Sequence, residues 1–245
     1  SGAPGVKSQI SIRGGGTPLF VIDGFIRSQN DYENLNPNDI ESYSILKDAE
    51  ATAIYGAQGG NGIIAITTKK GGNGKLNLDY TFNQVWSQPT VWPDKMSSYD
   101  RLSAINQVYI NEGKLQPTPD SVLGYYRDQT KPFLYPNVDW REFAMHRFAP
   151  QQRHDLSISS GTQNTRYYGG LSYYHQGTIL KTDNNKNDRV TYRFNVDNNF
   201  EKIKLRLHTG IDGFVENTVL PLSATAGSYY GIFSHIQNSP SNKAP

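Results

Sequence analysis

The chain has 245 residues, enough for one or two domains, and a net charge of only +2, which argues against a dedicated nucleic-acid binder. It contains no cysteine, which excludes a disulfide framework and any thiol-ligated metal. Mean hydropathy is -0.62 and no apolar run reaches the ~18 residues of a membrane helix, yet a β-barrel stays open because alternating strands leave little hydropathy signal.

In chain order, Ser1 to Gly5 reads as a loop without the charged and apolar regions of a leader. Ser8 to Arg13 alternates and is expected to be a strand, with Ile10 and Ile12 on one face. Leu19 to Ile22 is an apolar strand ending on Asp23-Gly24, a dipeptide suited to a tight turn. Asn36-Pro37-Asn38-Asp39 stops one element and can cap the next. Ile40 to Lys47 is too short to assign from periodicity. Asp48 is placed as N-cap of a short alanine-rich helix over Ala49 to Tyr55. Gly56, Gly59, Gly60 and Gly62 then break that helix, and the β-branched run Gly62 to Lys70 is expected to be a strand buried on both faces.

From Lys75 the pattern becomes period two. Leu76, Leu78, Tyr80 and Phe82 alternate with polar residues, as do Leu156 and Ile158, then Tyr167, Leu171 and Tyr173. Val190, Tyr192, Phe194 and Val196 alternate with Arg189, Arg193 and Asp197; Ile203, Leu205, Leu207 and Ile211 alternate with Lys204, Arg206, His208 and Asp212. Segments of about 10 residues with this period suit a membrane barrel, although a soluble sandwich also alternates. Two features favour the barrel. Charges stand in mid-strand on the polar faces, and short connections alternate with long ones. In a barrel Val190, Tyr192, Phe194 and Val196 would face lipid, and Arg189, Arg193 and Asp197 the lumen. The first long connection carries helical spacing over Ser98 to Glu112, ending at Gly113, and a second short helix over Asp120 to Gln129. Its aromatics Tyr125, Tyr126, Phe133, Tyr135 and Trp140 are candidates for ligand or partner contact, with local packing as the competing use.

No catalytic or metal constellation survives inspection. Gly60-Asn61-Gly62-Ile63-Ile64-Ala65 matches a relaxed dinucleotide pattern but enters a strand, so no helix N-terminus meets a phosphate. Gly74-Lys75 lacks the following hydroxyl residue and helix of a phosphate loop. The run Asp183 to Asp188 lacks the glycine and glutamate of a calcium loop. The histidines show no ligand spacing, and Asp39 and Glu41 stand in no catalytic context. No enzyme and no cofactor are expected.

LFVIDG, LNPNDIES, LKDA, TAIYG and NGIIAITTKKG, in that order, resemble the plug signature of SusC/RagA-type TonB-linked outer-membrane transporters of the Bacteroidetes. Val138-Asp139-Trp140 and the run His154 to Lys181 are similar to the early barrel of the same family. The resemblance implies a transmembrane antiparallel β-barrel, present as its first strands, with a small α+β plug domain. Residues 1–74 would be the later part of the plug. Residues 75–245 would be barrel strands with long extracellular loops at about 90–150, 177–187 and 217–245. The signature residues are Asp23, Gly24, Asn36, Pro37, Asp39, Lys47, Asp48, Tyr55, Gly56, Gly60 and Gly62. The first half of the plug, a TonB box and a signal sequence are expected upstream. Implied partners are TonB, a SusD-like surface lipoprotein, outer-membrane lipid and a glycan or peptide substrate. The implied activity is active import of a large nutrient. The alternative is a barrel recruited as a scaffold subunit of a secretion or assembly complex.

Overall fold

The structure, a computed structural model, describes residues 5, 10–12, 16–46, 53, 55–91, 94–181, 185–220, 232, 234, 236 and 238–243. The chain divides into two units, Ser1–Val85 with Pro150–Gly177 and Lys186–Thr218, and Trp86–Ala149 with Thr178–Asn185 and Val219–Pro245.

The first unit begins with a small sheet. β1 (Leu19–Ile22) turns into the antiparallel β2 (Phe25–Arg27) through Asp23-Gly24, whose φ angles of 52° and 88° make the expected two-residue turn. α1 (Gln29–Asn34) follows. The Ser28 hydroxyl accepts from the Asp31 N–H, and the Asp31 carboxylate accepts from the Ser28 N–H, a reciprocal cap. Neither β2 nor α1 stands out in the sequence, because β2 is three exposed residues and α1 is six. Asn36 accepts from the Asn38 N–H at 3.0 Å and opens a 3-10 turn over Pro37–Asp39.

β3 (Ile40–Leu46) is the stretch whose period was ambiguous; its antiparallel pairing with β4 (Ile63–Thr68) makes it a strand. β4 also pairs parallel with β1, giving the order β2-β1-β4-β3. Phe20, Ile22, Ile64 and Ile66 pack with Leu35 on one face, and Val21 and Ile63 form the other cluster with Tyr55 against it. β4 is therefore buried on both faces, as its β-branched run predicts. Each such side chain contributes about 1.5–3 kcal/mol on burial. Tyr32 of α1 stacks on Phe20 at 4.6 Å between centroids, which ties the helix to the sheet.

Two expectations change and a third falls outside the described residues. Ile10, Ser11 and Ile12 form no strand; Ile10 and Ile12 serve as apolar anchors against the Phe20 cluster. Gly60 sits at an ordinary helical φ of -58°, so the backbone freedom of glycine is required instead at Gly56 and Gly62, at 61° and 87°. The helix expected over Ala49 to Tyr55 lies outside the described residues except at Ala53 and Tyr55, as do Lys47 and Asp48.

Five long antiparallel strands complete this unit in sequence order: β5 (Gly74–Ser87), β6 (Ala149–Gly161), β7 (Thr165–Gln176), β8 (Lys186–Phe200) and β9 (Leu205–Val219). Short links at 162–164 and 201–204 alternate with long ones at 88–148 and 177–185. Lys204, at φ 50°, closes a 3-10 turn over Glu201–Ile203. Ile203 therefore belongs to the turn and not to the alternation of β9. The two faces differ in kind. Val190, Tyr192 and Phe194 are exposed, whereas Arg193, Asn195 and Tyr168 are buried at 5%, 1% and 3% exposure.

The long link in the second unit carries helices at three places among the described residues. α2 (Ser98–Asn111) is capped by Ser97 accepting from the Asp100 N–H and stops before Gly113 at φ 70°. Asn106 exchanges two hydrogen bonds with Thr118, at 2.6 and 3.1 Å, fixing the turn into α3 (Asp120–Asp128). α4 (Trp140–Ala144) is capped by Asp139. Burial would raise the Asp139 carboxyl, but the N–H groups of Glu142 and Arg141 hold it below its ordinary value. Among the described residues no helix is long and apolar enough to cross a membrane, which says nothing of a barrel, and no group of metal-ligating side chains is found.

Candidate functional site

The polar residues at the end of the small sheet converge on the inward side chains of β6, β7 and β8. Asp23 projects from the β1–β2 turn, where it accepts from the Thr68 N–H at 2.8 Å and the Thr68 hydroxyl at 2.7 Å. The hairpin turn is thereby locked to the end of β4. Asn195 of β8 donates to Thr68 Oγ1 and to the Lys69 carbonyl, both at 3.1 Å.

The Asn36–Asp39 turn docks two residues along. Asn36 and Asn38 each donate to one oxygen of the Asp155 carboxylate on β6, at 3.0 and 2.6 Å. Asp39 accepts from the Tyr168 hydroxyl of β7 at 2.7 Å. Register explains the fit. Gly170 of β7 lies opposite Arg193 of β8, and a β-carbon there would stand 2.8 Å from Asp39 Oδ1. The missing side chain leaves the space into which Asp39 reaches.

Arg193 is the hub. Its guanidinium lies 3.5 Å from Asp23 Oδ2, 3.8 Å from Asp39 Oδ2 and 3.8 Å from Asp212 Oδ2 of β9, and it donates to Thr68 Oγ1 at 3.3 Å. Asp212 also pairs with Arg27 of β2 at 3.1 Å. Burial pushes the Asp39 carboxyl above its ordinary value, with the Tyr168 hydrogen bond and the Arg193 charge pulling against that shift without cancelling it. Beside this cluster a cavity of about 510 Å³ opens between the β1–β2 hairpin and β8–β9, lined by Phe25, Arg27, Asn195 and Asp212 among others.

Of the signature residues, Asp23, Asn36 and Asp39 meet the strand wall directly. Gly24 and Pro37 shape the turns that carry them. Tyr55 and Gly62 belong to the sheet's packing, and Gly56 and Gly60 to the turn before β4. The loop aromatics make local ring contacts. Tyr125 and Tyr126 contact Tyr135 at 4.9 and 5.3 Å, whereas Trp140 packs on Phe143 and donates to the Pro240 carbonyl. Sequence reading missed Asn38, Asp155, Tyr168 and Asn195. The available signal was their phase, since all three strand residues fall on the polar face of an alternating strand.

The arrangement can hold a folded sheet against the inner face of a strand wall through buried polar contacts; it offers no nucleophile and no activated base. A plug on a barrel wall is thus the class of protein that fold and site define. The profile of the TonB-dependent Receptor Plug Domain family matches residues 1–63. TonB-dependent receptor P26 of Formosa agariphila is 35% identical over 207 residues, covering 80% of this chain and 20% of the relative. TonB-dependent receptor SusC of Bacteroides thetaiotaomicron is 35% identical over 197 residues, covering 75% and 18%. The structure of the RagAB peptide importer in the open-open state superposes with a TM-score of 0.65 at 26% identity, over 86% of this chain and 25% of that one. This chain belongs to the SusC/RagA-type TonB-dependent receptors, with a plug and the first strands of a transmembrane barrel. These proteins are receptors and transporters and not enzymes. The chain spans about a fifth of the length of the curated relatives it matches.

Proposed function

We propose that the whole protein actively imports a large nutrient, an oligosaccharide or a peptide, across the outer membrane. Residues 1–74 supply the later part of the plug and residues 75–245 the first barrel strands and their long loops. TonB supplies the energy through a box upstream, and a SusD-like lipoprotein works with the barrel at the cell surface. The loop aromatics Tyr125, Tyr126, Tyr135 and Trp140 are candidate contacts for substrate or partner.

The observation that carries this reading is the docked plug. A passive pore gains nothing from filling its lumen with a folded sheet, and the Arg193 cluster holds that sheet through polar contacts at the end of β4. Polar contacts suit reversible release better than a continuous apolar interface, because water replaces them when the surfaces part. The turn between Gly56 and Gly62, with both glycines at positive φ, is where the plug would yield under force. The test is uptake of labelled substrate by cells carrying the whole receptor, with and without a proton-motive-force uncoupler. Import predicts uptake that stops on uncoupling while surface binding persists; unchanged uptake means a diffusion channel.

A further inference from the structure

Beyond the docking cluster, toward the ends of the strands from which the long links leave, lies a second row of inward side chains. Arg153 of β6, Tyr174 of β7 and Arg189 of β8 are direct cross-strand neighbours. All three are in phase with Asp155, Ser172 and Arg193, so they share the face that meets the plug. The Arg153 and Arg189 guanidiniums stand 5.1 and 5.3 Å from the centre of the Tyr174 ring. The ring is held in turn, its hydroxyl donating to Gln151 Oε1 at 3.4 Å. Arg189 is anchored at one end, donating through Nη1 to Asn34 Oδ1 of α1 at 2.7 Å.

The row has more cation than anion. Neither arginine forms an ion pair among the described residues, and the Arg153 side chain makes no hydrogen bond there. Arg189 Nε is buried without an acceptor. The carboxylate whose field reaches Arg189 is Glu216 of β9, and it already accepts from Asn187 at 2.9 Å. Two guanidiniums held about one ring at partial burial are costly unless an anion completes them. A guanidinium held beside a ring keeps the planar fork that takes a carboxylate by two parallel hydrogen bonds.

We propose that Arg153 and Arg189, held about Tyr174, form a subsite on the inner barrel wall that binds a carboxylate group of the imported substrate. The subsite rests on the import reading and deepens it: the cargo is acidic, a uronate-containing oligosaccharide or a peptide with free carboxylates. A sugar acid and a peptide carboxylate offer the same two oxygens, so the probes separate the sources.

The experiment is calorimetry on the purified whole receptor at low salt with two matched probe pairs. One pair is tetragalacturonate and its methyl ester; the other is an acidic tetrapeptide and its fully amidated form. The expected result is that the acid form of one pair binds at least about tenfold more tightly than its neutral form, as a bidentate charged contact allows. Which pair shows the preference identifies the source. Arg153→Gln should bring that preference to within about twofold, and Arg153→Lys, which keeps charge and stem but not the fork, should fall between. No acid preference with either pair, or a preference undiminished in both variants, overturns the subsite. Because the measurement needs no energised membrane, its failure strikes the subsite alone, whereas uptake insensitive to uncoupling strikes the import reading.

Discussion

Replacing Arg193 by Met removes the one cation shared by three carboxylates and keeps most of the side-chain volume. The side chains of Arg193 and Asp39 are each 4% exposed and that of Asp23 11%, so solvent cannot take over the lost charge. Removing one partner of a buried pair costs about 3–5 kcal/mol. The low end applies here, because the contacts are 3.5 to 3.8 Å long and each aspartate keeps another donor, Thr68 for Asp23 and Tyr168 for Asp39. For a plug this small, a urea dependence of about 1 kcal/mol per molar converts about 3 kcal/mol into a midpoint lowered by about 3 M. The measurement is urea unfolding of the plug in the whole receptor, followed by a spin label at the exposed position 57. Adding Asp39→Asn should recover a large part of the loss, since the amide still accepts from Tyr168 and carries no buried charge. A single-variant midpoint within about 0.5 M of wild type, or a double variant showing the plain sum of two losses, would refute the reasoning.

Two further outcomes follow from the same geometry. The folded-state pKa of Asp39 is raised, so the docked plug holds its proton more readily than the unfolded chain does. The contribution of this group is fully present below the ordinary aspartate value of about 4 and is lost as pH rises through the folded value. Plug midpoints measured at pH 4 and pH 7 should therefore shift in favour of Asp39→Asn relative to wild type as pH rises, and parallel changes in both proteins would count against it. Spin labels replacing Phe194 and Thr191 in nanodiscs should differ in collision with dissolved oxygen, high at the exposed position 194 and low at the inward position 191; equal collision rates would dissolve the assignment of the two faces.

Local chemistry made much of the fold legible. The Asp-Gly pair dictated a two-residue turn because its backbone angles are cheap there, and the run Gly62 to Lys70 read as a buried strand because of its β-branched residues, the strand itself spanning Ile63–Thr68. The barrel strands declared themselves because period two must persist wherever one face meets apolar surroundings and the other does not. Ser98 and Asp120 began the two helices expected in the long link, the first capped by Ser97 and the second following Pro119 without a side-chain cap. By contrast, β3 carries five consecutive exposed residues and no useful period, so only its pairing with β4 made it a strand.

The docking site was legible in half. The sequence alone placed Arg193 on a polar strand face and marked Asp23, Asn36 and Asp39 as a patterned set. That these residues meet, across more than a hundred positions of chain, was decided by tertiary structure. Register sets Gly170 beside Arg193, and that gap admits the Asp39 carboxylate to Tyr168; shifting β7 by one residue would turn Tyr168 outward and close the gap. Alternation says which face a side chain takes, but only the packed sheet and wall say which partner waits there, because a buried carboxylate is stable only where its donors and counter-charge stand within hydrogen-bonding reach.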